Sequence, residues 1–216
     1  MVGWIAAETW QSPRYSVVTN TISDMQAATA PHVWFPITCF AIGGLGSFGF
    51  VIFGLRPATA AAARVGISGI WALALSVLAL GNSFPLIPCQ LSDRACSAHH
   101  QLHSVGGMTD AIVASLAFLV LVFTPKALWP RLQLLPKWRS FAPIARIAAL
   151  ACPFAFVVLC AASLTNTDEG LAERVLVTVC ALWLAALAMR HLAIARSKPD
   201  VTRAVAPGDW LERSPD

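Results

Sequence analysis

Four of the five histidines and two aspartates fall where they can share one polar site. His32 stands just before a long apolar run, and His99, His100 and His103 cluster ahead of another. Asp24 lies in the polar N-terminal stretch, and Asp110 interrupts an otherwise apolar segment. Imidazoles one helical turn apart can hold one metal ion. If a helix reaches back to residue 99, then His99, His103 and Asp110 lie on one face at roughly 100° per residue, with Gly106 on the same stripe. His32 from another segment would then be a third ligand, and Asp24 or Asp110 a further ligand, an orienter or a catalytic base. A zinc ion with an open position would activate water for hydrolysis of a lipid-like ester or amide. The plainer reading keeps the same residues as interfacial histidines in a wet vestibule, bonded to carbonyls and to Asp24. The segment lacks the glutamate of a metalloprotease helix, and nothing in the spacing fixes His32 near His103.

Two other chemistries are weaker. His32 and His103 could be axial ligands to a haem, but only His191 remains near the other face, which argues against an electron carrier. Asp110 could couple transport, yet no paired intramembrane charge or broken-helix repeat accompanies it. Cys89 and Cys96 bracket six residues beside the histidines, and a disulfide between them would pin the loop that delivers those residues. Cys39, Cys152, Cys160 and Cys180 fall in apolar runs, where they read as small packing residues.

The elements that must position these groups are membrane helices. The chain has 216 residues, 57% hydrophobic and 12% charged, with a mean hydropathy of +0.67. Soluble domains carry about 25% charged residues. A hydrocarbon core needs about 20 apolar residues per helix, and five stretches qualify: 33–55, 65–88, 104–124, 144–164 and 170–189. The expected fold is therefore an all-α bundle of about five spans, with residues 1–32 as an N-terminal segment and 195–216 as a polar tail. Cys39, Gly43 and Ser47 repeat every four residues and, with Gly66 and Gly69, offer close helix packing. Val2–Ala7 is apolar and too short to span. It is either an interfacial segment or the end of a helix that begins upstream.

Charge sets the orientation. Arg56, Arg64, Lys126, Arg131, Lys137, Arg139, Arg146, Arg190, Arg196, Lys198, Arg203 and Arg213 all fall on one side of the alternating spans, which is twelve of the fifteen basic residues. The positive-inside rule makes that side cytoplasmic. Residues 1–32 and the 89–103 segment then face outward, and the C-terminus faces the cytoplasm. Because the net charge of +4 is spent on topology, nucleic acid is not an expected partner. The expected partners are the bilayer and a lipid ligand.

The string Tyr15-Ser16-Val17-Val18-Thr19-Asn20-Thr21-Ile22-Ser23-Asp24-Met25, followed by a glycine-rich span, resembles the opening signature of a bacterial and archaeal membrane family, domain of unknown function 998. Members commonly show a Tyr-Ser … Asn-Thr-Ile-Ser-Asp-Leu segment and a later outward histidine segment, here His99-His100-Gln101-Leu102-His103. Met25 replaces the usual leucine. The resemblance covers roughly residues 10–195 and implies a multi-pass fold in the bacterial plasma membrane. Family members look like six-helix proteins, which favours a start inside an element at Val2–Ala7. It implies no activity. The function expected is that of a non-catalytic envelope, lipid-binding or accessory protein with a polar outward vestibule, and the alternative is the zinc hydrolase.

Overall fold

The computed structural model describes residues 2–59, 86–165 and 167–197, apart from the side chains of Val2, Ala58, Thr59, Ala98, His99 and Leu102. The stretch expected as the second span therefore lies outside the described residues except for 86–88, as does the tail from 198 onward.

The chain is all helical among the described residues. A short helix α1 (Val2–Glu8) precedes a loop with one 3-10 turn, Ser23–Gln26. Helix α2 (Trp34–Gly49) is uncharged, with Pro36 in its first turn, where a missing N–H leaves no intrahelical bond unmade. It widens into a π-helical stretch, Phe50–Leu55, followed by a helical turn, Arg56–Thr59. Helix α3 (Ala98–His103) is short. Helix α4 (Val105–Leu132) has 28 residues, giving a length of roughly 40 Å. Helix α5 (Ala142–Thr165) and helix α6 (Glu169–Arg196) complete the bundle.

Helix α4 does not stop near Thr124. It runs on through Pro125 and Pro130, so about a turn or two extends beyond a hydrocarbon core of roughly 30 Å. Helix α5 packs along both α4 and α6, and α1 packs against α2. The core is apolar, with Val51, Leu121, Leu132, Trp138, Phe141, Leu176, Trp183 and Leu187 buried together.

Much of the surface along the long helices is apolar. Phe53 is 80% exposed and Phe154 72%, in company with Ile42, Leu45, Val157 and Leu164. Contiguous apolar surface of this extent is not tolerated in water. Together with four described helices long and apolar enough to cross a membrane, Trp34–Leu55, Val105–Leu132, Arg139–Thr165 and Glu169–Arg196, it makes the chain a multi-pass membrane protein.

Among the described residues, the small residues of α2 face a cavity. A Cβ on Gly43 or Gly46 would meet nothing within 4 Å among the described residues. Gly43, Gly44 and Ser47 instead line a cavity. The close approach is at Cys39, whose side chain leaves no room for a Cβ on Gly3 of α1 (2.6 Å).

Candidate functional site

Beginning at Tyr15, the chain turns back on itself through bonds made by its own polar side chains. The Ser16 N–H donates to Asn20 Oδ1 at 2.9 Å, and the Asn20 N–H donates to the Ser16 carbonyl at 2.8 Å. Tyr15 Oη donates to the Thr21 carbonyl (3.1 Å), and the Asp24 N–H donates to Thr21 Oγ1 (3.1 Å). Such side-chain bonds to nearby backbone replace regular structure in polar loops. They leave Asp24 inside the protein, 1% exposed.

Asp24 is a hub. Its Oδ1 accepts from the Leu91 N–H (2.7 Å) and Gln101 Nε2 (3.1 Å), and its Oδ2 accepts from Asn20 Nδ2 (3.1 Å). The N-terminal segment and the 89–101 region, far apart in sequence, therefore meet on one carboxyl group. Burial pushes that group above the usual carboxylate range, and the bonds from Leu91, Gln101 and Asn20 pull it part of the way back. Gln101 also donates to the Cys89 carbonyl. Cys89 and Cys96 are joined as a disulfide with Cα atoms 5.9 Å apart. Beside it, the Ala28 N–H donates to the Ile87 carbonyl (2.8 Å), and Thr29 Oγ1 accepts from the Gln90 N–H (2.9 Å). Gln90 Nε2 reaches Gln11 Oε1 at 2.7 Å.

A second charged group holds the same loop to α6. Glu173 accepts from the Ile22 N–H and from Ser23 Oγ, the latter at 3.2 Å. Arg174 donates from Nε to Glu8 Oε1 (2.7 Å), from Nη1 to the carbonyls of Asn20 and Gly170 (both 2.8 Å), and from Nη2 to Tyr15 Oη (2.6 Å). The guanidinium also lies over the Trp4 ring, 5.7 Å from its centre. Gly170 is required where the loop crosses α6, because a Cβ there would come 2.2 Å from the Asn20 carbonyl oxygen. Burial raises the Tyr15 hydroxyl well above its ordinary range, against the partial opposing pull of Arg174.

Beneath this lock lies a cavity of about 260 Å³. Trp4, Phe40, Phe118 and Val177 contribute apolar wall, while Asp110 and Glu173 face it as the acidic groups. No Lys, Arg or His is among the described residues lining it. The two acids differ in one respect. Glu173 is occupied by Ile22 and Ser23, whereas Asp110 makes no hydrogen bond or ion pair among the described residues.

The supposed continuous face through His99, His103 and Asp110 does not exist. Ser104 is extended (φ −74°, ψ 145°) and caps α4 by accepting from the Gly107 N–H at 2.9 Å, so α3 and α4 are separate helices. The physical reason is local. Gly106 and Gly107 are poor helix formers, serine prefers the cap, and Gly106 is needed where a Cβ would come 2.1 Å from the Leu86 carbonyl oxygen. His103 is exposed on α3, while Asp110 faces the cavity. His32 is exposed at a positive φ of 51°, with its ring edge-on to Trp10 at 5.7 Å. The His99 side chain lies outside the described residues. Among the described residues, no three His, Cys, Asp or Glu side chains gather as a metal site. Asp24 and Asp110 are also not joined, since Asp24 is wholly engaged in the lock and is not part of the cavity lining.

Sequence reasoning passed over Glu173, Arg174, Tyr15, Asn20 and Gln101. The signal for Arg174 was its position among apolar residues in the first turns of a span, where an ionisable group calls for a partner. Gln101 was hidden by its neighbours: in the segment singled out for histidines, the glutamine is what reaches Asp24.

Fold and site together define a helical membrane protein closed at one end by a hydrogen-bonded N-terminal segment. Comparison with family models adds a match over residues 1–190 to the family described as Protein of unknown function (DUF998), and the chain belongs to that family. Neither a curated protein nor a solved structure matches it. The string that carries the family resemblance, Tyr15 to Asp24, is the string that builds the lock.

Proposed function

We propose that the chain is a non-catalytic envelope protein that holds an amphipathic ligand in an outward-facing vestibule, with its C-terminus in the cytoplasm. The observation that supports this reading is the cavity, where the Asp110 side chain has no partner among the described residues and stands among apolar and aromatic walls. Asp110 is half-buried, and an acid drawn out of water without a partner is costly. A ligand with a positively charged head and an apolar body would supply one, aided by the faces of aromatic rings. With no basic side chain among the described lining residues, a fatty acid or an anionic head is disfavoured.

Titration of the detergent-purified protein with octylammonium, followed by tryptophan fluorescence, tests the reading. Saturable binding that Asp110→Asn weakens about tenfold, with octanoate inert, is the expected result. Equal response to octanoate, or stoichiometric zinc that disappears in His99→Ala/His103→Ala, would overturn it in favour of a different ligand or of the hydrolase. The orientation is tested separately by Gln133→Cys, which should resist impermeant thiol reagents in intact cells. Labelling there would reverse the topology.

A further inference from the structure

The other end of the bundle carries the opposite problem. Between α4 and α5 lies an open groove of about 820 Å³, lined by Trp129, Gln133, Arg139, Pro143, Arg146 and the apolar pair Ile147 and Leu150. Arg146 lies over the Trp129 ring, 5.6 Å from its centre, which holds the guanidinium toward the groove. Neither Arg139 nor Arg146 has an ion pair or side-chain hydrogen bond among the described residues, where the one ion pair is Arg174 with Glu8 at the opposite end. The acids of the described residues, Glu8, Asp24, Asp93, Asp110, Asp168, Glu169 and Glu173, all belong to that opposite half of the bundle. The groove is therefore electropositive, and nothing described in the fold neutralises it.

Its apolar side points to what does. Ile147 is 67% and Leu150 69% exposed, and with Phe154 they form a stripe along one face of α5 that begins beside Arg146. A guanidinium pair at the end of an apolar stripe matches one chemistry: a phosphate head at the membrane surface, with an acyl chain running down the helix. Arginine suits phosphate because its planar fork can bind two oxygens at once.

We infer that this groove is a binding site for an anionic phospholipid, with Arg139 and Arg146 on its phosphate and Ile147, Leu150 and Phe154 along its acyl chain. The inference is independent of the ligand in the vestibule, and either can fail alone.

Native mass spectrometry of the full chain, with phosphatidylglycerol or phosphatidylcholine of identical acyl chains, is the test. Phosphatidylglycerol should be retained, and Arg139→Gln/Arg146→Gln should lower its occupancy to the phosphatidylcholine level, a loss of roughly tenfold to thirtyfold. Lys126→Gln, a charge removed elsewhere at the same end, should leave the preference intact, and inorganic phosphate should not compete. Equal binding of the two lipids, equal loss in Lys126→Gln, persistence of the preference in the double variant, or displacement by inorganic phosphate would each overturn the site. Should the double variant not fold, Gln133→Glu places a like charge at the groove and should abolish the preference. Its survival there would overturn the site equally.

Discussion

Asp24 and Arg146 show how differently the two ends of this bundle treat charge. At the N-terminal end, Asp24 takes three donors on its two oxygens, Glu173 takes two, and Arg174 gives four hydrogen bonds to Glu8, Tyr15 and two carbonyls. At the other end, Arg139 and Arg146 face a groove with no acid among the described residues. Arg190 reaches the Lys137 carbonyl through one amino group, but its Nε and one nitrogen of Arg131 are buried without partners among the described residues. The difference teaches where each charge finds its counterpart. Inside the protein an unpaired charge costs several kcal/mol, so at the first end the buried Asp24, Glu173 and Arg174 are each answered by groups of the chain itself. At the membrane surface lipid phosphates are abundant, so the second end can leave its cations open.

That contrast can be broken most forcefully at Arg174. Arg174→Met removes the partner of Glu8 and the donor to the Asn20 carbonyl and to Tyr15 Oη, and should cost about 3–5 kcal/mol in thermal unfolding in mild detergent. The same change at Arg146 should cost under about 1 kcal/mol. Equal losses would erase the distinction. Next in size is the disulfide. Cys89→Ser with Cys96→Ser should cost about 2 kcal/mol by loosening the loop that brings Leu91 and Gln101 to Asp24. No change in melting would mean that the loop is held without it.

The smallest effect is spectroscopic. Tyr15 is the single tyrosine, so tyrosinate absorbance reports it alone. Its hydroxyl is raised above the ordinary value of 10.0, so the folded state favours the neutral form. The stability it contributes is fully present below pH about 10 and is lost as pH rises further through the folded value. Tyrosinate should therefore appear only as the protein unfolds at alkaline pH, and Tyr15→Phe should flatten that alkaline loss. An ordinary titration in the folded protein would mean that Tyr15 is not locked.

The helices were legible because apolar length is a one-dimensional property: α2, α4, α5 and α6 each fill a stretch that reads as a span. Their ends were less so. The extension of α4 to Leu132 passes two prolines that suggest a stop, and neighbouring helices support it there. The site was half legible. Asp24 and Asp110 stood out as acids out of place, but their roles separate only in three dimensions, one enclosed by donors and the other facing a cavity. The histidine face failed because helical phase cannot be carried across Ser104, a cap whose effect depends on where the chain before it goes. Glu173 was obscured by its plausibility at the start of a helix, where an acid suits the dipole without further explanation.

The central claim is that one acid builds the fold and the other serves a ligand. Paired thermal unfolding of Asp24→Ala and Asp110→Ala in the same detergent tests it most directly. Asp24→Ala leaves three donors unmet and should lose about 3 kcal/mol, whereas Asp110→Ala removes an acid with no partner among the described residues and should leave stability unchanged or raised. Equal destabilisation, or the reverse order, would contradict the account.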